Sequence, residues 1–231
     1  MGIVAGLDSS PEFTRIAVCD ADTGAILRQG YAPHPVEAPE GGGKPTDVDP
    51  QAWLLSLGEA AGGGLLEGVQ AIGVCAQQHA LVPLDSQGNT VRPALVGNHP
   101  RAQVAAADLV DGLGGRQAWA QAVGCVPQAP MPVTKLRWLA RHEPEAALRT
   151  QMLMQAHDWL VWQLLGRPVR RTTDRGGASG TGYWSAATGA YREIAEHQGI
   201  KVETVKTRIA RARHAMAALL GIERGGSDER A

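Results

Sequence analysis

Residues 2–30, read as GIVAGLDS at 2–9 running on into SPEFTRIAVCDADTGAILRQG at 10–30, contain three short β-prone runs, Ile3–Leu7, Arg15–Cys19 and Ala25–Gly30. The links between them, 8–13 and 20–24, are built from Asp, Ser, Pro and Gly, the residues that tight turns take. The spacing predicts an antiparallel meander. HPVEAPEGGGKPTDVD at 34–49 has no apolar period and is rich in Pro and Gly, which predicts a surface excursion. Asp49-Pro50 then sets an N-cap before Pro at the first helical position, opening a helix through Trp53, Leu54, Leu57 and Ala60. VQAIGVCA at 69–76 is an apolar run of strand length, expected to be buried.

Meander, helix, strand is the opening of the ribonuclease-H-like fold used by actin, hexokinase and sugar kinases, so the expected class is α/β. Helical patterns follow at Gln103–Leu113, Gly115–Val123, Val133–Arg141, Pro144–Leu153 and His157–Leu165. A chain of 231 residues can bury one core with a small appendage. Its 22 Lys+Arg against 23 Asp+Glu leave a net charge of -1, so any attraction to nucleic acid or membrane must be local. Cys19, Cys75 and Cys125 are odd in number, far apart and set in apolar runs, which argues against a disulfide framework or a metal site and predicts reduced core thiols. Gly6 stands where a myristoylation signal wants Ser or Thr, and no basic region precedes a long apolar run. A cytoplasmic protein with no membrane span is expected.

Two stretches point to chemistry. Asp8 followed by Ser9-Ser10 puts a carboxylate and small residues at a hairpin mouth, where backbone N–H groups and a carboxylate-held Mg²⁺ can meet an ATP tail. An Asp serving only its own β-turn is the plain alternative. CAQQHALVPLD at 75–85 sets His79 beside Gln77 and Gln78 just past a strand, where α/β proteins commonly meet ligands. A histidine satisfied within its loop is the plain alternative there.

Six segments, GLDSS, AIGVCAQQH, RPALVGN, VTKLRWLARHEP, HDWLVWQLLG and TDRGGASGTGYWSAATG, occur in the order and spacing of the FGGY carbohydrate kinases. Residues 2–192 resemble the amino-terminal domain of that family, most of all its xylulokinases. The resemblance implies ATP and Mg²⁺ as cofactors and a ketopentose such as D-xylulose as substrate. It implies Asp8 and Ser10 at the phosphate turn, with Asp8 the metal ligand. Gln78 and His79 would contact the ketose, and Asn98 would sit in the loop lining the sugar cleft.

Three departures accompany the match. The family's D-S-S-T-Q-S-T-K becomes D-S-S-P-E-F-T-R at 8–15, so Pro11 removes a hydroxyl and a backbone donor, and an impaired phosphate turn is expected. W-N-D becomes Gly97-Asn98-His99, and D-A-S-G-T becomes GASGT with Gly177 in place of the acid. The resemblance also stops short of the family's second ATPase domain, which holds the proton acceptor and most of the adenosine site. The expectation is a catalytically incomplete chain with no catalytic base of its own, and exposed apolar surface open to self-association.

The closing stretch YREIAEHQGIKVETVKTRIARARHAMAALLG at 191–221 reads differently. Glu193–Gln198 predicts a short helix, Gly199 its stop, and Glu203 onward a second helix. Val205, Ile209, Ala212, Met216 and Leu219 form one apolar stripe. Thr204, Thr207, Arg208 and Arg211 share another face, with Lys206 nearby, the layout that meets base edges and phosphates. The segment is similar to the helix-turn-helix of sigma-factor region 4, which implies duplex DNA or RNA polymerase as partners. Gln198 departs from the usual leucine, and a solvated basic amphipathic helix is the alternative. Tyr191-Arg192 fits both families, which suggests a chimera: a kinase-like domain at 1–192, a helix-turn-helix at 193–222 and a disordered tail at 223–231.

Overall fold

The computed structural model describes residues 2–35, 46–97 and 102–191. Strands β1 (Ile3–Ser9), β2 (Phe13–Asp20) and β3 (Ile26–Pro33) form the expected antiparallel meander, each running one or more residues past its predicted end. A two-residue strand β4 (Asp47–Val48) precedes α1 (Gln51–Ala60), and β5 (Ala71–Ala76) then pairs parallel to β1. The sheet order is β3-β2-β1-β5. The helix starts one residue later than the sequence predicts, with Pro50 and not Asp49 at the cap position, while Asp49 Oδ1 accepts from the Gln51 N–H at 3.0 Å just ahead of it.

Strand alternation decides which face is buried. Ala5, Leu7, Ile16, Val18 and Ala32 point to one side, where Trp53, Leu57 and Ala60 of α1 cover them. Trp159 of α6 (Ala156–Leu164) meets Trp53 edge to face, ring centroids 5.9 Å apart, and joins the two helices over that face. Gly30 makes the fit possible, because a Cβ there would stand 1.9 Å from the Ala60 carbonyl oxygen.

Between β5 and α6 the chain forms β6 (Val82–Leu84), β7 (Ala94–Leu95), α2 (Ala102–Gly112), α3 (Arg116–Val123), α4 (Pro132–His142), α5 (Pro144–Arg149) and β8 (Met152–Met154). Beyond α6 come α7 (Arg175–Ser179), β9 (Trp184–Ser185) and β10 (Ala190–Tyr191). The short strands pair as β4 with β7, β6 with β8 and β9 with β10. Leu81, Leu95, Ala105, Trp138 and Leu139 build a second core around α2 and α4. Trp119 anchors a third, its indole N–H donating to the Leu109 carbonyl at 2.7 Å.

Several expectations are corrected. Pro144–Leu153 is not one helix: α5 stops at Arg149, the Gln151 N–H turns to the Leu84 carbonyl at 2.8 Å, and Met152–Met154 joins β6. The strand at 71–76 is not buried but is an edge of the sheet, with Ala71, Ile72, Gly73 and Cys75 exposed. The thiols are free but not core residues, since Cys75 is exposed and Cys19 and Cys125 are half-buried. The segment at 34–49 is not wholly a surface excursion either, because His34 is buried and Asp47 and Val48 are in a strand.

Among the described residues no helix is long and apolar enough to cross a membrane. Asn98 lies outside the described residues. So do the helix-turn-helix reading of 193–222, its DNA-facing Thr204, Lys206, Thr207, Arg208 and Arg211, and the tail at 223–231.

Candidate sugar and phosphate site

The β1–β2 hairpin and the β5 exit lie side by side. Ser9 registers with Ala76, and the Gln77 N–H continues the ladder by donating to the Ser9 carbonyl at 2.9 Å. Asp8 and Ser10 therefore stand at the same end of the sheet as Gln78 and His79. Asp8 is exposed, opposite Arg15 on β2 and Cys75 on β5.

The hairpin closes on Ser10. Its N–H and its hydroxyl donate to the Phe13 carbonyl at 2.9 and 3.1 Å, and its Oγ accepts from the Phe13 N–H at 3.3 Å. An exposed carboxylate at Asp8 fits a hydrated divalent cation. A phosphate fits less well, because Ser10 spends its donors within the turn and Pro11 has no N–H.

Behind the hairpin the sequence concealed a buried polar network. The ring Nε2 of His34 lies 3.0 Å from Thr14 Oγ1 and 3.4 Å from Ser9 Oγ. Burial pushes the His34 imidazole below its usual pKa, opposed by a hydrogen bond to the Pro11 carbonyl, and the neutral ring is favoured. Its place in a Pro/Gly-rich segment gave no periodic signal that would have marked it.

His79 is built into place from two sides. Its φ is 63°, a left-handed conformation unusual for a residue with a side chain. The carbonyl accepts from Lys135 Nζ at 2.6 Å, and the ring lies against Gly180, where a Cβ would be 3.1 Å from its Cε1. Burial first, and then the Lys135 charge, hold the imidazole below its usual range, opposed by the Gly180 backbone. Lys135 itself is fully buried in α4, and that burial lowers its pKa to about 7. The Val133 N–H donates to the Thr181 carbonyl at 3.0 Å, so the QQH, VTK and SGTG segments meet around one turn. Gln78, beside His79, is exposed.

A second polar cluster stands at α6 and α7. His157 Nε2 lies 2.9 Å from Asp174 Oδ2 and 3.1 Å from Asp158 Oδ1. Asp174 also caps α7, its Oδ1 accepting from the Gly177 N–H at 2.8 Å. Burial opposes charge on His157, but the Asp158 and Asp174 carboxylates together outweigh it and raise the pKa. The glycine that departs from the family pattern explains the ring position, since a Cβ at Gly177 would lie 2.5 Å from His157 Cε1. Among the described residues these three side chains form the one group of His, Cys, Asp or Glu with metal-binding spacing, and Asp8 is not a member.

This α/β arrangement is the actin/hexokinase-like fold of sugar kinases. The solved xylulose kinase from Bifidobacterium adolescentis matches 94% of this chain at a TM-score of 0.76 and 35% identity, using 46% of its own chain. The profile of the FGGY family of carbohydrate kinases, N-terminal domain, matches residues 3–221, and the chain belongs to that family. Xylulose kinase from Streptomyces coelicolor is 44% identical over 193 residues, which cover 83% of this chain and 39% of that protein. The protein of the same name from Streptomyces rubiginosus is 42% identical over 201 residues, 86% of this chain and 40% of that one. The chain thus spans about two fifths of the length of these relatives. The family match also runs past Tyr191 into the segment that the sequence reading sets apart.

Proposed function

We propose that this chain is the ketose-recognising amino-terminal part of a xylulokinase-type enzyme, whose reaction is ATP + D-xylulose to ADP + D-xylulose 5-phosphate. The observation that carries the proposal is the Gln77-to-Ser9 hydrogen bond, which brings the Asp8 hairpin and the Gln78-His79 turn to one end of the sheet. The names of the Streptomyces and Bifidobacterium relatives support xylulose as the sugar. In this reading Gln78 and the neutral imidazole of His79 bind sugar hydroxyls, each able to donate and to accept. By the family resemblance Asn98 is a third sugar contact, and Asp8 holds the Mg²⁺ that accompanies ATP. No residue of the chain is assigned as the base that takes the proton from the sugar hydroxyl. The chain alone is therefore expected to bind D-xylulose without turning it over.

Calorimetric titration with D-xylulose, beside a coupled assay for ADP release, tests this. Binding without turnover is the expected result. Turnover that needs both xylulose and protein and disappears in Asp8→Ala would show that the chain carries its own base, and absence of binding would remove the sugar reading.

The pattern of residues 193–222 supports a second reading, a fused DNA-associating module with Lys206, Arg208 and Arg211 on phosphates and Thr204 and Thr207 nearest base edges. RNA polymerase is the protein partner it implies. Three phosphate contacts give a slope of log affinity against log salt of about −3. DNA binding that ignores salt, or that survives deletion of residues 193–231, would refute this reading.

A further inference from the structure

We infer that Lys135 is the positioning residue of the sugar-recognition turn: by holding the His79 carbonyl from the buried side, it keeps His79 in the left-handed conformation that presents Gln78 and His79 at the mouth of the site. The inference rests on the sugar-site reading of that turn. Its starting point is a mismatch between cost and partners. Lys135 is fully buried, and among the described residues its ammonium has one hydrogen-bond partner, the His79 carbonyl at 2.6 Å. A buried ammonium with one carbonyl partner is a poor stabiliser, and an apolar side chain of similar length would fill the same space without the desolvation cost. What an apolar side chain could not do is grip that carbonyl.

The carbonyl belongs to the residue that most needs gripping. Non-glycine residues hold positive φ only where their surroundings over-determine it. At His79, with φ 63°, Lys135 acts on the backbone while Gly180 closes on the ring. Both supports share one frame, because Val133, two residues before Lys135, donates to the Thr181 carbonyl beside Gly180. The lowered pKa of Lys135, about 7, agrees with an ammonium kept out of water. Lys135 does not touch solvent, so it acts through His79 and not on the sugar directly.

The test uses the full chain, isotope-labelled, with Lys135→Met as the variant and two readouts. The first is the His79 backbone: its three-bond amide coupling and Cα shift should report positive φ in the parent and lose that signature in Lys135→Met. The second is D-xylulose affinity, which should fall at least tenfold while the tryptophan emission spectrum stays native. A folded Lys135→Met with an unchanged His79 signature, or with affinity within twofold of the parent, would overturn the inference. If the parent binds no D-xylulose, the sugar reading fails separately, and the His79 signature alone decides the role of Lys135. Should Lys135→Met not fold, Lys135→Gln takes its place. It keeps an uncharged donor on a shorter stem, should weaken both readouts, and would overturn the inference by matching the parent in both.

Discussion

The backbone N–H of Gln77 donates to the carbonyl of Ser9 at 2.9 Å, one step beyond the last registered pair of β1 and β5. That bond carries the parallel ladder into the turn holding Gln78 and His79. It sets the hairpin that carries the Asp8 carboxylate beside the turn that carries the His79 imidazole, the pairing on which the proposed sugar site rests.

The network behind the hairpin should matter to both stability and site geometry. Thr14→Val is nearly isosteric but leaves the buried His34 Nε2 without its 3.0 Å partner. An unsatisfied buried group costs about 1–3 kcal/mol, so the urea midpoint should fall accordingly. An unchanged midpoint would mean that the Ser9 hydroxyl suffices.

Histidines of opposite shift give opposite pH dependences. The folded pKa of His157 is raised above its unfolded value, so its stabilisation is full below about pH 6.5 and is lost as pH rises through the folded pKa. The pKa values of His34 and His79 are lowered, so their contribution is present above about pH 6.5 and fades as pH falls toward the folded pKa. In urea melts, the stability difference between parent and His157→Gln should shrink from pH 6 to pH 8. For His34→Gln it should grow over the same interval.

Gly30 and Gly6 should respond oppositely to an added methyl group. A Cβ at Gly30 meets the Ala60 backbone at 1.9 Å, whereas one at Gly6 meets nothing within 4 Å. Gly30→Ala should cost ~4 kcal/mol or more, because backbone has to move. Gly6→Ala should be neutral or stabilising by up to about 1 kcal/mol, through loss of unfolded-state entropy. Equal midpoints for the two variants would contradict the packing of β3 against α1.

Restoring an acid at position 177 should rearrange the second cluster. In Gly177→Asp the new Cβ displaces the His157 ring, a shift a side-chain tip can make, and adds a carboxylate beside it. NMR titration should then place the His157 pKa higher than in the parent. A lower or unchanged value would show that the ring had left the cluster.

Much of the fold was legible because it rests on local signals. The turn residues at 8–13 and 20–24, the Asp49-Pro50 pair and the apolar run at 71–76 each specify an element with little help from elsewhere. What was missed depends on distant partners. Met152–Met154 reads as the end of a helix until the Leu84 carbonyl is there to take the Gln151 N–H. Burial of the strand at 71–76 could not be judged from its apolar residues, because its position at the sheet edge decides it. The site divides in the same way. Asp8 and His79 stand in recognisable motifs, whereas Lys135 sits in an amphipathic helix where lysine is ordinarily solvated. Only the packing of α4 against the turn reveals it as buried. His157 lies within the HDWLVWQLLG motif, but its contacts with Asp158 and Asp174 appear only when Gly177 leaves room for the ring.

Saturation-transfer NMR of D-xylulose on the full chain, compared with His79→Ala, tests the central claim most directly. Transfer from the protein to the sugar should appear with the parent, level off as D-xylulose is raised to saturation, and be absent with a folded His79→Ala. No transfer at millimolar sugar, or equal transfer with parent and variant, would contradict the assignment of this turn as the sugar site.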